Sequence, residues 1–173
     1  IMKNFLVTCL ILCCAAFVSY AKVEPAPLFA DNMILQQKSD VALWGKAAPG
    51  SKVVITTTWS KVKTSVTADA DGKWFARVAT PEAGGPYEIT FNDGDKLTLR
   101  NVLIGEVWIC SGQSNMEMQM TGYGGQPVEG ATELIMTAKP DVPIRSCNVK
   151  RVLALKPQDT CKATWYEHTP EGV

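Results

Sequence analysis

The sequence of 173 residues has a single histidine, His168, and no excess of either charge, since 17 lysines and arginines balance 17 aspartates and glutamates. A chain without net charge is not expected to have the basic surface that binds nucleic acids, so no nucleic-acid partner is expected. No two cysteines have CxxC spacing, and one histidine adds little, so no zinc site and no cofactor is predicted. The glycines at 122–125 lack the spacing and the lysine of a phosphate-binding loop.

Charge is also nearly absent from the first 21 residues, where Lys3 stands alone before an apolar run at 5–18. Ser19 and Ala21 are small residues at the two positions that a signal peptidase reads, so residues 1–21 are predicted to be a secretory signal peptide. The alternative is a membrane anchor, but the run is shorter than the roughly 20 residues of a spanning helix. We expect an exported protein, periplasmic, extracellular or lysosomal according to its source, without a membrane contact after cleavage.

Three of the six cysteines lie in that signal peptide, which leaves Cys110, Cys147 and Cys161. An exported protein meets an oxidising compartment, where a disulfide can persist. Cys110 lies in an apolar run and is expected to be a buried free thiol that packs as a small hydrophobic residue. Cys147 and Cys161 are the possible disulfide pair.

Short runs of alternating apolar and polar residues fill positions 22–102, and turn residues such as Asp71-Gly72 separate them. The alternation predicts strands near 41–45, 52–59, 62–68, 74–78, 87–91 and 97–102. Strands of this length and spacing are typical of a β-sandwich domain. Trp44, Trp59 and Trp74 are either buried in this sandwich or form a surface on which sugars stack.

The pattern changes at about residue 103. Residues 107–110 have the composition of a strand buried on both faces. Helices are predicted at 115–121 and 129–139, and a further strand at 142–149. This order opens an α/β domain that residues 103–173 are too few to complete. The predicted fold is therefore a two-part α+β chain, in which a β-sandwich precedes a truncated α/β domain.

Ser114 lies between the predicted strand and helix, in the stretch Ser111-Gly112-Gln113-Ser114-Asn115. A nucleophilic serine needs exposure on a sharp turn, donors for the oxyanion and a general base. A helix start offers unpaired N–H groups, and Gly112 permits a close approach of the backbone. The alternative is that Ser114 only caps the helix. Ser111 is interpreted as structural, and His168 as a surface residue near an exposed chain end rather than the base.

The stretch Gly105–Met120, with Gly112-Gln113-Ser114-Asn115-Met116 at its centre, resembles the first motif block of the sialate O-acetylesterase family, in the SGNH-hydrolase superfamily. The segments 27–37, 42–53, 71–78, 143–151 and 165–173 resemble the same family. The resemblance implies that an SGNH-type, flavodoxin-like α/β hydrolase domain begins at residue 103. It also implies that Ser114 is the nucleophile, that its backbone N–H belongs to the oxyanion hole, and that Gly112, Gln113 and Asn115 support it.

The other functional blocks of the family, which supply a glycine, an asparagine and an Asp-x-x-His base, do not occur within residues 1–173. The resemblance thus implies the N-terminal fragment of an exported carbohydrate esterase, itself inactive, whose parent removes O-acetyl groups from sialic acids. The expected partner is an O-acetylated sialic acid or another acetylated glycan. The alternatives are a deacetylase of plant polysaccharides such as xylan and a non-catalytic carbohydrate-binding β-module.

Overall fold

The computed structural model describes residues 22–173, so the predicted signal peptide at 1–21 lies outside the described residues. The described part of the chain is mostly β. Its strands are β1 (Glu24–Pro25), β2 (Ile34–Gln36), β3 (Asp40–Lys46), β4 (Lys52–Thr57), β5 (Ser60–Thr67), β6 (Lys73–Ala79), β7 (Gly84–Asn92), β8 (Lys96–Gly105), β9 (Arg145–Val149) and β10 (Ala163–Glu167). Its helices are α1 (Ser114–Glu117) and α2 (Ala131–Thr137). Neither helix of this region has the length and apolar character needed to cross a membrane.

The first eight strands form two sheets that share one hydrophobic core. One sheet has the order β1-β3-β6 and the other β2-β8-β7-β4-β5, and only β2 and β8 pair in parallel. In β6, Trp74, Ala76 and Val78 are buried while the residues between them are exposed, because successive side chains of a strand point to opposite faces. The Trp74 ring meets Phe91 of the other sheet, with centroids 5.5 Å apart. Both sheets therefore bury their inner faces against each other.

Strands β3 to β8 lie where the alternation predicts them, whereas β1 and β2 were not predicted. These two strands have two and three residues, too few for a period of two to be visible. Each exists because a longer strand pairs with it: β1 lies against β3, and β2 lies against β8.

The strand predicted at 107–110 is wrong for the described chain. β8 ends at Gly105, and residues 106–112 are neither strand nor helix. Trp108 is 84% exposed and Ile109 is 93% exposed. A strand buried on both faces needs sheet neighbours and covering layers, and no strand within residues 22–173 pairs with this run. For the same reason Cys110, expected to be buried, is exposed.

The strand predicted at 142–149 is present as β9, but its pairing differs from the expectation of an α/β domain. β9 pairs antiparallel with β10, and together they form a separate two-stranded sheet. The residues of the β10 region have the composition of an exposed chain end. Trp165 of β10 instead packs against the core and donates its indole N–H to the Leu28 carbonyl at 2.8 Å. The two predicted helices are present in shortened form as α1 and α2.

Candidate active site

A cluster of side-chain hydrogen bonds holds the start of the segment that joins β8 to Ser114. The Glu106 carboxylate accepts bonds from Gln36 Nε2 at 3.0 Å and from Gln37 Nε2 at 2.6 Å. Gln36 Oε1 accepts the Val107 N–H at 2.9 Å. The hydrogen bonds from Gln37 and Gln36 hold the pKa of Glu106 below its ordinary value. The start of the serine segment is thereby tied to the end of β2.

Ser114 is the first residue of α1, and it is exposed. Gln113 occupies the cap position, and its carbonyl accepts the N–H groups of Met116 at 3.0 Å and Glu117 at 3.3 Å. No side-chain hydrogen bond caps this helix. The alternative in which Ser114 is only a helix cap is therefore wrong. Its hydroxyl lies at the surface of a tight turn, as the nucleophile hypothesis requires.

Gly112 packs closely under the Met116 side chain. A Cβ atom at position 112 would lie 2.6 Å from Met116 Cγ, so a larger residue would shift this exposed side chain. Gln113 and Asn115, the other residues of the motif, are exposed on either side of Ser114. The turn thus brings the four predicted motif residues together, and their catalytic roles stay predictions.

A cavity of about 810 Å³ opens beside Ser114. One wall is the serine turn and the other is the end of β9 with the two residues after it; the lining comprises 110–114, 116, 117, 119 and 148–151. Arg151 Nη1 lies 2.9 Å from Glu117 Oε2, which makes an ion pair between the two walls. Lys150 also lines the cavity. Two cations and one carboxylate therefore surround the serine.

No histidine occurs among the described residues that line this cavity. His168 follows β10, is half-buried, and lies outside the lining. The carboxylate of Glu117 lies 2.9 Å from Arg151 Nη1. Within residues 22–173, no group of three or more His, Cys, Asp and Glu could hold a metal ion. Ser114 has exposure and a cavity but no evident base in the described part of the chain.

The predicted disulfide pair, Cys147 and Cys161, consists of two free thiols in this structure. Burial raises the pKa of the Cys147 thiol, and the neighbouring Cys161 raises it further. The pairing stays a prediction.

A partly buried polar network, which no sequence pattern predicted, fastens the hairpin β9–β10 to the larger sheet. The Arg145 side chain is 4% exposed, and its Nη2 lies 3.1 Å from Glu167 Oε1. Asn101 Nδ2 donates to the same Glu167 oxygen at 2.8 Å and to Asn32 Oδ1 at 2.8 Å. We call these four residues, Asn32, Asn101, Arg145 and Glu167, the hairpin latch. Because β9 ends in the cavity wall, the latch positions that wall relative to the sheets.

The two asparagines of the hairpin latch are the one feature of the sequence that weakly indicates it. Asn32 and Asn101 have φ angles of 67° and 55°, in the left-handed region that asparagine tolerates better than most residues. The ladder between β7 and β8 is irregular between Tyr87 and Ile89, opposite this part of β8. An asparagine inside an apolar alternating run can indicate such a bulge, but not which distant residue its side chain meets.

The tryptophans of the β-region pack against the core. Trp74 is 2% exposed. Trp44 and Trp59 are partly buried against the same core, and their indole N–H groups donate to the carbonyls of Asp159 at 2.9 Å and Ala79 at 3.0 Å. This arrangement favours the buried interpretation over a shared sugar-stacking surface.

Known proteins that are similar to this chain in sequence or structure include acetylesterases. No protein-family model matches the chain. The sialate O-acetylesterase of Homo sapiens is 37% identical over 99 residues, which are 51% of this chain and 19% of that protein. The enzyme of the same name from Mus musculus is 33% identical over 105 residues, 54% of this chain and 19% of that protein. A solved structure of a carbohydrate acetylesterase from Xanthomonas citri has a TM-score of 0.78 and 28% identity, covering 87% of this chain and 33% of its own.

The chain is similar to sialate O-acetylesterases over about half of its length. The matched residues span about one fifth of the length of these relatives. The structural likeness covers 87% of the chain, which is more than the β-region at 22–102 contains. The likeness to a carbohydrate acetylesterase therefore extends into the region after residue 103, where Ser114 lies.

Proposed function

We propose that this chain is the N-terminal part of an exported serine esterase that removes O-acetyl groups from sialic acids. The observation that carries the proposal is Ser114, exposed at the start of α1 and beside a cavity of about 810 Å³. The names of the relatives, sialate O-acetylesterase and carbohydrate acetylesterase, support acetyl-ester hydrolysis on a sugar.

In this proposal residues 22–102 are a β-sandwich domain, and residues 103–173 begin an SGNH-type, flavodoxin-like α/β domain. Apolar exposure supports an unfinished second domain: the exposed fractions are 84% for Trp108, 93% for Ile109, 95% for Leu153 and 99% for Leu155. Exposed apolar surface marks contacts with polypeptide, membrane or ligand, and in this proposal the contact is with further polypeptide. The greater length of the relatives is consistent with such polypeptide in the parent protein.

The reaction expected of the parent is acyl transfer through Ser114. Ser114 Oγ attacks the acetyl carbonyl carbon and gives its proton to a base. The negative oxygen that forms accepts hydrogen bonds from donors that include the Ser114 N–H. The bond to the sugar oxygen then breaks, that oxygen takes up the proton, and water releases acetate from the acetyl-serine.

The described chain by itself is expected to be inactive. A serine hydroxyl is a poor nucleophile at neutral pH unless a base accepts its proton, and no histidine lies in the described lining of the cavity. Loss of the base in serine hydrolases costs orders of magnitude, and loss of one oxyanion donor costs about 10²–10³ in rate. Serine-dependent release of acetate by residues 22–173 would contradict this expectation.

The decisive experiment uses the complete natural polypeptide that contains these residues. Acetate release from an O-acetylated sialic acid is measured for the unmodified protein, for Ser114→Ala and for Ser111→Ala. Ser111→Ala is a matched control because it makes the same change three residues away in the same cavity lining. We expect Ser114→Ala to lose about 10³-fold or more in kcat while sugar binding persists, because only the nucleophile is removed.

The alternatives give different results in the same experiment. A deacetylase of plant polysaccharide would release acetate faster from acetylated xylan than from the sialic acid. A carbohydrate-binding module would bind sugar without Ser114-dependent turnover, and Ser114→Ala would change nothing. The export proposal is tested separately by N-terminal sequencing of the secreted protein, which should begin at Lys22.

A further inference from the structure

We propose that Arg151 is a specificity-determining residue that binds the carboxylate of a sialic acid at the serine cavity. This inference rests on the proposed function and deepens it, because it names the group that distinguishes a sialate substrate from a neutral acetylated sugar. It begins from the charge of the cavity. The described lining contains Lys150, Arg151 and Glu117 as its charged residues, so the cavity has a net positive charge.

A net positive cavity is unexpected for a site that binds only neutral sugars. The full sequence has equal numbers of basic and acidic groups, so a local excess of cations is not a general property of the chain. A sialic acid carries one carboxylate, the sign of charge that this cavity complements. A neutral acetylated sugar such as xylan has no group that would use the excess charge.

The position of Arg151 makes it the better of the two cations for this role. It lies directly after β9 and Lys150, and its guanidinium reaches across to Glu117 on the serine turn. Because Glu117 follows Ser114 by three residues on α1, it is a near neighbour of Ser114 on the helix surface. The guanidinium is therefore held beside the nucleophile. Lys150 has no such anchor among the described hydrogen bonds of its side chain.

Arg151 also keeps donors free for a ligand. Its ion pair uses Nη1, at 2.9 Å from Glu117 Oε2. A guanidinium has five N–H donors in a fixed planar fork, which suits a carboxylate that binds through both oxygens. The Arg151 side chain is 83% exposed, so an incoming sugar can reach the remaining donors. Glu117 orients the guanidinium, and the substrate carboxylate binds the open side.

The test compares two substrates that differ only in charge: an O-acetylated sialic acid and the C1 carboxamide of the same O-acetylated sugar. Acetate release by the complete natural polypeptide gives kcat/KM for each. We expect Arg151→Met to lower the ratio of the two values by about tenfold, mainly through a higher KM for the acid, because a charge-assisted hydrogen bond is lost. Arg151→Lys should restore part of the ratio, and added salt should reduce it.

Two further variants separate recognition from a structural role. Arg100→Met is the matched control, since Arg100 is also an exposed arginine paired with a glutamate, Glu88 at 3.6 Å, but lies on β8 outside the cavity lining. Glu117→Gln keeps an amide oxygen that can accept a hydrogen bond from Arg151 but removes the competing negative charge, so it should raise the preference for the acid. If Arg151 only held α1 in place through Glu117, then Arg151→Met and Glu117→Gln would lower turnover of both substrates alike, and the proposal would be overturned.

A binding measurement distinguishes this proposal from the proposed function. Free N-acetylneuraminate and its C1 carboxamide carry no acetyl ester, so their binding by calorimetry does not depend on catalysis. If no variant releases acetate, the esterase proposal fails while the Arg151 proposal is still decided by binding. We expect the unmodified protein to prefer the acid and Arg151→Met to lose that preference. Equal affinity of the unmodified protein for acid and carboxamide would overturn the inference.

Discussion

Replacing Arg145 by Met is expected to loosen the hairpin β9–β10, and with it one wall of the serine cavity. The substitution keeps a long apolar side chain but removes the guanidinium that lies 3.1 Å from Glu167 Oε1. Glu167 would keep its hydrogen bond from Asn101 at 2.8 Å but would lose its cation. The perturbation is therefore confined to the hairpin latch and leaves the core of the two sheets intact.

The size of the effect follows from the burial of the two partners. Removing one partner of a buried ion pair costs about 3–5 kcal/mol, because the other charge stays buried without compensation. The Glu167 side chain is 35% exposed, so water can solvate part of its charge. Arg145 Nε has no hydrogen-bond partner in the described structure, and its removal offsets some of the loss. We expect a net cost of about 2 kcal/mol, roughly a 30-fold change in the opening equilibrium of the hairpin.

Hydrogen exchange measures this opening directly in the complete polypeptide. The amides of β9 and β10 should exchange about 30-fold faster in Arg145→Met, whereas the amides of β7 should not change. The indole N–H of Trp165, which donates to Leu28, is a second reporter of the same opening. Arg100→Met is the control, because it removes an exposed arginine from a loose ion pair. Unchanged exchange in the hairpin, or an equal acceleration in β7, would refute the assignment of the latch.

Three further perturbations test other parts of the structure. Gly45→Ala should destabilise the β-region by about 1–3 kcal/mol or more, because the new Cβ would overlap the β1 backbone. Gly124→Ala is the control, since nothing lies within 4 Å of its Cβ, and it should be nearly neutral. Equal denaturant midpoints for the two variants would contradict this prediction. A short iodoacetamide pulse, read by peptide mass spectrometry, should label the exposed Cys110 faster than Cys147, whose pKa is raised by burial; equal labelling would count against that burial. The pKa of Glu106 is lowered by its hydrogen bonds, so their stabilisation is present above the unfolded-state pKa and is lost as pH falls through the folded-state pKa. Nuclear magnetic resonance of the carboxyl group should give a midpoint below the ordinary value, and a midpoint at or above it would refute the cluster.

Local sequence patterns predict most strands of the β-region and the position of the turn that contains Ser114. Trp74, Ala76 and Val78 are buried as their alternation predicts, because the two-residue period of a strand depends on the backbone alone. The turn at Asp71-Gly72 lies between β5 and β6, and Gly72 has a φ of 73° that favours glycine. The exposure of Ser114 likewise follows from a short polar stretch between an apolar run and a helix.

Other sequence expectations failed because they assumed neighbours that the described chain does not provide. The run at 107–110 has the composition of a buried strand, but composition does not supply a pairing partner, and Trp108 lies 84% exposed. Conversely, β10 was not predicted, because its residues have the composition of an exposed chain end. Pairing with β9 and the docking of Trp165 on the core give this segment its structure.

The amino-acid sequence by itself determined where most strands of the β-region lie, which serine is exposed, and the resemblance to sialate O-acetylesterases. Only the tertiary structure decided the order of the strands, the hairpin latch and the placement of Arg151 across from Glu117. These features join residues that are far apart in the chain: 66 positions separate Asn101 from Glu167, and 34 separate Glu117 from Arg151. A local pattern reports the conformation of its own backbone, whereas such contacts depend on how the whole chain packs.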